Sequence, residues 1–207
     1  MSSSVRGNFL RVFLIMTIVT MFACDDAIVN YTEITPGLIF TESYLNKDIP
    51  ESNWLEVYNT SDQVMEISAL RLSNYRAISV LTQEVVVDPG EIVILCADKG
   101  RFITHWIQAV RTIEVAALMS VNEHDDGGFI WLSTGDIYDP DDFEISGFQY
   151  GTNPVLTEGL EEYVGSHVLS FLDNGMSWSR YIVQTGSGIG TTAYYPTTPS
   201  PGYINQK

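Results

Sequence analysis

What most constrains this chain is a succession of short β-rich runs broken by glycine, proline, asparagine and aspartate. Leu38 to Tyr44, Trp54 to Tyr58, Met65 to Leu72, Val80 to Val87, Ile92 to Cys96, Ile113 to Leu118, Phe129 to Leu132, Phe143 to Tyr150 and Trp178 to Val183 all read as strands. Strand follows strand without regular helical alternation, which predicts an all-β sandwich or barrel. Asp88-Pro89-Gly90 and Asp126-Gly127-Gly128 are strong turn signals. Phe102, Ile103, Trp106, Ile107 and Val110 recur at helical spacing, so one or two helical turns should cover an end of the sandwich, with His105 turned to solvent. Thr152 to Ser170 reads as a long loop, Gly186 to Gly190 as a flexible link, and Tyr194 to Gly202 as an extended, proline-stiffened ending.

The first residues carry a different signal. Arg6 and Arg11 precede an uncharged apolar run from Val12 to Ala23, after which Cys24 meets Asp25-Asp26. A basic start, a short apolar stretch and a small residue before the cleavage point mark a secretory signal. The run between Arg11 and Asp25 is about 13 residues long, short of the roughly 20 that a spanning helix needs. A cysteine directly after Ala23 resembles the lipidation site of bacterial lipoproteins; plain cleavage after Ala23, and a retained anchor or buried helix, are the alternatives. The expected organisation is a signal peptide over 1–23, a lipidated Cys24 with a tether over 24–36, and one β domain over 37–205. Two or three acyl chains on Cys24, at about 0.8 kcal/mol per buried methylene, would hold the protein on the extracytoplasmic side of a bacterial envelope membrane.

Removal of residues 1–23 leaves 184 residues, enough for one sizeable β domain. It also leaves 8 basic residues against 26 acidic ones. Such a surface repels phosphate backbones and so disfavours nucleic acid and anionic headgroups as partners. With Cys24 lipidated, Cys96 has no disulfide partner; its apolar surroundings, Ile92 to Leu95, predict a buried thiol acting as a small hydrophobe.

No catalytic motif stands out. Gly175-Met176-Ser177-Trp178-Ser179 falls one glycine short of a nucleophile elbow. His105, His124 and His167 lie far apart with no second histidine at helical spacing, which leaves zinc chemistry unsupported. Asp136, Asp139, Asp141 and Asp142, with Glu144, crowd one loop, and Glu123, Asp125 and Asp126 crowd another. These are weak calcium candidates without the order of an EF-hand, and solvated acidic loops are the plainer reading. Trp106, Trp131, Trp178, Tyr181, Tyr194 and Tyr195 offer either a sugar- or protein-binding face or core filling.

The order of several motifs resembles the lamin-tail domain family. Ile39-Phe40-Thr41-Glu42-Ser43-Tyr44 is similar to that family's first strand, and Asn53-Trp54-Leu55-Glu56-Val57-Tyr58-Asn59 to its second. Met65 to Asn74 resembles the third, with Ala69-Leu70 where the family has Gly-Trp. Pro89-Gly90-Glu91, Asp126 to Leu132 and Thr198 to Asn205 resemble its hairpin, a later strand entry and its closing segment. The resemblance implies an immunoglobulin-like β-sandwich of lamin-tail type, with a short helix and long loops, non-catalytic and without a shared cofactor. Glu42, Glu56, Asn59 and Gly90 would then be structural, through turn geometry, edge-strand charge and loop-closing hydrogen bonds. The expected function is a membrane-anchored envelope module for protein or glycan binding, adhesion or scaffolding. Its rivals are a secreted hydrolase with dispersed catalytic residues, built around His124 or His167, and a calcium-dependent adhesion module.

Overall fold

The computed structural model of the protein describes residues 32–34, 36–67, 69–73, 78–80, 85–106, 110–122, 128–133, 145–151, 168–172, 175–186 and 188–204. The chain divides into two units between Asn30 and Tyr31, and every described residue belongs to the second. The strands, in chain order, are β1 (Thr32–Ile34), β2 (Leu38–Tyr44), β3 (Trp54–Asn59), β4 (Met65–Ile67), β5 (Ala69–Ser73), β6 (Ile78–Val80), β7 (Val85–Val87) and β8 (Ile92–Cys96). After the helix α1 (Lys99–His105) come β9 (Arg111–Glu114), β10 (Gly128–Ser133), β11 (Ile145–Tyr150), β12 (Val168–Leu169), β13 (Ser177–Ser179), β14 (Ile182–Gln184), β15 (Ile189–Thr191) and β16 (Tyr195–Thr197). Two 3-10 segments, Pro50–Ser52 and Ala116–Asn122, complete the described elements.

The protein is rich in β-sheet. A six-stranded sheet runs β16-β13-β2-β3-β8-β9, and a five-stranded sheet runs β12-β11-β10-β5-β6. Both are antiparallel except for the parallel pairs β8–β9 and β11–β12. A three-stranded sheet, β1-β15-β14, and the pair β4–β7 accompany them. The two large sheets share one core: Phe40, Leu55, Val57, Val93 and Leu95 from the first join Ile130, Leu132, Phe148 and Tyr150 from the second. Phe40 meets Phe148 edge to face, with centroids 5.3 Å apart. Each such aliphatic or aromatic side chain taken out of water contributes roughly 1.5–3 kcal/mol before chain entropy is counted.

The opposite face of the six-stranded sheet is also buried, by a second cluster of Tyr44, Trp54, Ile94, Cys96 and Phe102. Alternation along β3 and β8 explains this, because Leu55 and Val57 point to the first core while Trp54 points away, and Val93 and Leu95 alternate likewise with Ile94 and Cys96. In β2 the alternation is interrupted. The pairing of β2 with β3 shifts between Phe40 and Glu42, so Thr41 is the extra residue of a β-bulge. One added residue reverses the phase of the strand: Phe40 faces the first core, while Tyr44 joins the second cluster. The carbonyl oxygens at the bulge do not go unpaired. Arg180 donates its Nε–H to the Phe40 carbonyl, Tyr194 adds a hydroxyl bond to it at 3.1 Å, and the Arg180 N–H reaches the Thr41 carbonyl at 3.0 Å.

Several expectations need correction. Met65 to Leu72 is not one strand: β4 and β5 belong to different sheets, and Val80 to Val87 and Trp178 to Val183 divide in the same way. Ile113 to Leu118 leaves its strand at Glu114 and continues as a 3-10 segment from Ala116. Thr32–Ile34, inside the stretch read as tether, pairs with Ile189–Thr191, inside or next to the stretch read as a flexible glycine link. Tyr195–Thr197, within the stretch read as an extended ending, is extended and also pairs as the edge strand beside β13. Ile103, placed on the apolar stripe of the helix, is 51% exposed. The turn at Asp88-Pro89-Gly90 forms as expected, with Pro89 preceding Gly90 at φ 74 and the Glu91 N–H bonded to the Asp88 carbonyl at 3.0 Å. That left-handed φ suits glycine at the third position of a type II turn. The signal segment 1–23, Cys24, residues 25–31, the Asp126-Gly127 turn residues and the side chain of Leu70 lie outside the described residues. Among the described residues no helix is long and apolar enough to cross a membrane.

Candidate functional site

The outer face of the six-stranded sheet carries two sites built from the same two strands. Glu42 pairs across β2 and β3 with Glu56, and Tyr44 pairs with Trp54 two residues further on. A period of two places both pairs on one face, as neighbours along the strands.

Both glutamates are fully buried. Glu42 accepts hydrogen bonds from the Ser177 hydroxyl, the Ser200 N–H at 3.0 Å and the Ser200 hydroxyl at 3.0 Å. Glu56 accepts from the Thr41 hydroxyl at 2.6 Å and the Gly202 N–H at 2.6 Å. Burial pushes the Glu42 carboxyl above its ordinary range, and the bonds from Ser177 and Ser200 partly offset that. Glu56 is pushed up to about 7, chiefly by burial, against the bonds from Thr41 and Gly202 and with a further push from the charge on Glu42. Two buried carboxyls side by side resemble an acid–base pair in chemistry. Here their acceptor positions are filled by the strand that carries Ser177 and by the segment Ser200–Gly202, which they pin to the sheet. Neither is the edge-strand charge expected from the sequence, since β2 and β3 are interior strands.

Asn59 and Asn53 perform comparable work at the strand ends. The Asn59 amide donates to the Gln63 carbonyl at 2.8 Å and the Val87 carbonyl at 3.0 Å, while its oxygen accepts from the Ser61 N–H and hydroxyl. Asn53 accepts from the Asn46 N–H at 2.7 Å and donates to the Leu118 carbonyl at 3.0 Å. These bonds close loops, as the sequence reading of Asn59 expects.

The aromatic pair is arranged differently. Tyr44 stacks on Trp54 with centroids 6.0 Å apart and rings 6° from parallel. Trp54 in turn meets Phe102 and Trp106 edge to face, each at 6.0 Å. Above these rings lies a cleft of about 90 Å³. Tyr44, Ile49 and Ser52 form one wall, and α1 with its following residue forms the other through Arg101, His105 and Trp106, over a floor that includes Phe102. The helix is set by its cap: the Asp98 carboxylate accepts the Arg101 N–H at 2.8 Å. Arg101 and His105, four residues apart, therefore share the face over the cleft. The His105 ring stands edge to face on Trp106 at 4.6 Å, so it is exposed as expected but belongs to the rim of a concavity.

Among the described side chains of the six aromatics singled out from the sequence, Trp106 alone lines this cleft. Trp178 packs against the main core and donates its N–H to the Ser170 carbonyl at 2.7 Å. Tyr194 packs on Phe148 and beneath the Arg180 guanidinium, and Tyr181 stacks on Tyr195 at 4.6 Å. The side chain of Trp131 lies outside the described residues. The sequence marks Tyr44 only as a strand end two residues from Glu42 and Arg101 only as an arginine beside the aromatic stripe of a capped helix, and it carries no signal for Ser52.

Cys96 is buried, and its thiol is pushed up to about 12 by burial first and the Glu114 charge second, as suits a core residue. Asp136, Asp139, Asp141 and Asp142, together with His124 and His167, lie outside the described residues. Among the described residues no group of three or more histidines, cysteines or carboxylates converges. Compared with known proteins, the chain matches no family model, no curated sequence and no solved structure.

Proposed function

We propose that this chain is a lipoprotein of the bacterial envelope, anchored through lipid on Cys24, whose β domain is a non-catalytic immunoglobulin-like sandwich of lamin-tail type. The aromatic cleft is its binding surface. One observation carries the binding reading: on a single sheet face the carboxyl pair is wholly engaged in holding the chain, whereas the neighbouring rings leave an open, cation-rimmed concavity. The anchor rests on the run from Arg6 to Cys24, and the lamin-tail type on the motifs of β2, β3 and the Pro89-Gly90 turn.

Two experiments test it. Cys24→Ser should move the protein from the membrane to the soluble fraction with its melting temperature unchanged; persistent membrane association would overturn the anchor. Full-length protein in detergent, screened on a glycan array, should retain ligands that Trp106→Ala loses. Retention by the variant would remove the cleft from the reading.

A further inference from the structure

Resting on that reading of the domain as a binding module, we propose that the cleft between α1 and the Pro50–Ser52 segment is a site for one terminal acidic sugar, a uronate, whose ring lies on the aromatic walls while its carboxylate meets Arg101. The argument begins with the walls. Tyr44 and Trp106 stand edge to face at 72° with centroids 6.1 Å apart; the half-buried Trp106 gives the main ring surface, and Tyr44, 9% exposed, closes the corner beside it. Trp54, fully buried, contacts both rings from behind. The corner is thus formed before any ligand arrives, which reduces the ordering cost of binding. Ring faces of this kind accept the C–H face of a pyranose by dispersion and burial of apolar area.

The polar groups select the ligand's charge. Ser52 already donates its hydroxyl to the Ile49 carbonyl at 2.6 Å, leaving only acceptor lone pairs for a ligand hydroxyl. Arg101 is exposed, lines the cleft, and its guanidinium makes no ion pair or hydrogen bond among the described residues. By contrast, Arg111 pairs with Glu91 and Arg180 is spent on the Phe40 carbonyl. A guanidinium without a partner is a local reversal in a chain of net charge −16. Asp48 and Glu51 sit on the adjoining loop, but neither lines the cleft. A cationic ligand would face Arg101 unfavourably, and a neutral one would leave it unused. A carboxylate matches its planar fork. Size limits the ligand further, because a space of about 90 Å³ lies well below that of drug-sized sites and admits one ring with the rest of a chain in solvent.

The test uses full-length protein in detergent with two matched probes, methyl β-D-glucuronide and methyl β-D-glucoside, followed by tryptophan fluorescence and calorimetry. The glucuronide is expected to bind about tenfold or more tightly, as a charge-assisted hydrogen bond provides, and to weaken as salt is raised. Arg101→Gln, at an exposed position, should leave melting unchanged and abolish the preference, whereas Trp106→Ala should abolish both interactions. Equal affinity for the two probes, or a preference that survives Arg101→Gln, would overturn the proposal. If neither probe binds, the uronate assignment fails. The binding-module reading then stands if the glycan array yields another ligand lost in Trp106→Ala, and falls with it if the array is silent.

Discussion

Two regions of one sheet face, built from the same pair of strands, solve the same problem in opposite ways. Glu42 and Glu56 present buried polar groups, and the chain returns from residues 177 and 200–202 to satisfy them. Tyr44 and Trp54 present aromatic rings two residues away; a seven-residue helix and Trp106 after it bury Trp54 fully and Tyr44 nearly so, and leave a cleft at the margin. The difference follows from the cost of an error. A buried carboxyl without partners costs several kcal/mol, so its surroundings must close completely. An aromatic ring at the margin, such as the half-buried Trp106, loses only area-proportional burial where it is wet, so a cleft beside the cluster is tolerated.

The largest way to break the comparison is Trp54→Ala, which removes the ring common to the stacked and perpendicular contacts. It should lower unfolding free energy by about 3–5 kcal/mol in urea titration. A loss below 1 kcal/mol would show that the aromatic cluster does not support the sheet. Glu42→Ala comes next: three donors from Ser177 and Ser200 lose their acceptor, at about 2–4 kcal/mol. Protease cleavage near residue 200 should accelerate in parallel if the glutamate pins that segment.

The pH response tests the polar corner from another side. Glu56 has its folded pKa raised from 4.5 to about 7, so the folded state holds a proton that the unfolded chain releases. Its stabilising contribution is therefore complete below about pH 4.5 and is lost as pH rises through 7, an effect of up to about 3 kcal/mol. Unfolding measured at pH 5 and pH 8 should show the domain more stable at the lower value. Glu56→Gln should flatten that slope and cost less than about 1 kcal/mol at pH 8, because Thr41 and Gly202 keep an amide partner; a slope unchanged in the variant would assign the titration elsewhere. Smallest of all, Arg101→Gln should alter stability by less than about 0.5 kcal/mol, which separates the open region from the closed one.

The sequence made the strands of this face legible and the two sites on it less so. Ile92–Cys96 was readable to the residue because a buried strand is apolar nearly throughout, and Leu38–Tyr44 because its β-branched and aromatic residues outweigh Thr41, Glu42 and Ser43. Met65 to Leu72 misled because strand-like alternation of apolar and polar residues carries no mark of the point where a chain passes from one sheet to another. Ile189–Thr191 and Tyr195–Thr197 escaped because segments containing glycine or proline have little strand propensity, and Thr32–Ile34 because three residues are too short a run to signal a strand; pairing with distant partners makes all three. The carboxyl pair was visible as two glutamates inside strands, yet nothing local foretold that Ser200 and Gly202 would supply their donors. The cleft was partly visible through Trp106 and the helical stripe. Its remaining walls, Tyr44 and Ser52, depend on β2 and the following loop folding back towards α1.

The bonds from Ser200 to Glu42 and from Gly202 to Glu56 join residues 158 and 146 positions apart. In kinetic terms this is a closure of very high sequence separation, whose loop entropy must be overcome before it rewards the chain. The polar corner therefore belongs to the last stage of folding, and a chain shortened before residue 200 would leave two carboxyls in a half-finished sheet. Such a chain should refold to a state in which the amides around Glu42 and Glu56 exchange faster than in the full chain, while the aromatic cluster, formed within residues 44–106, is already in place.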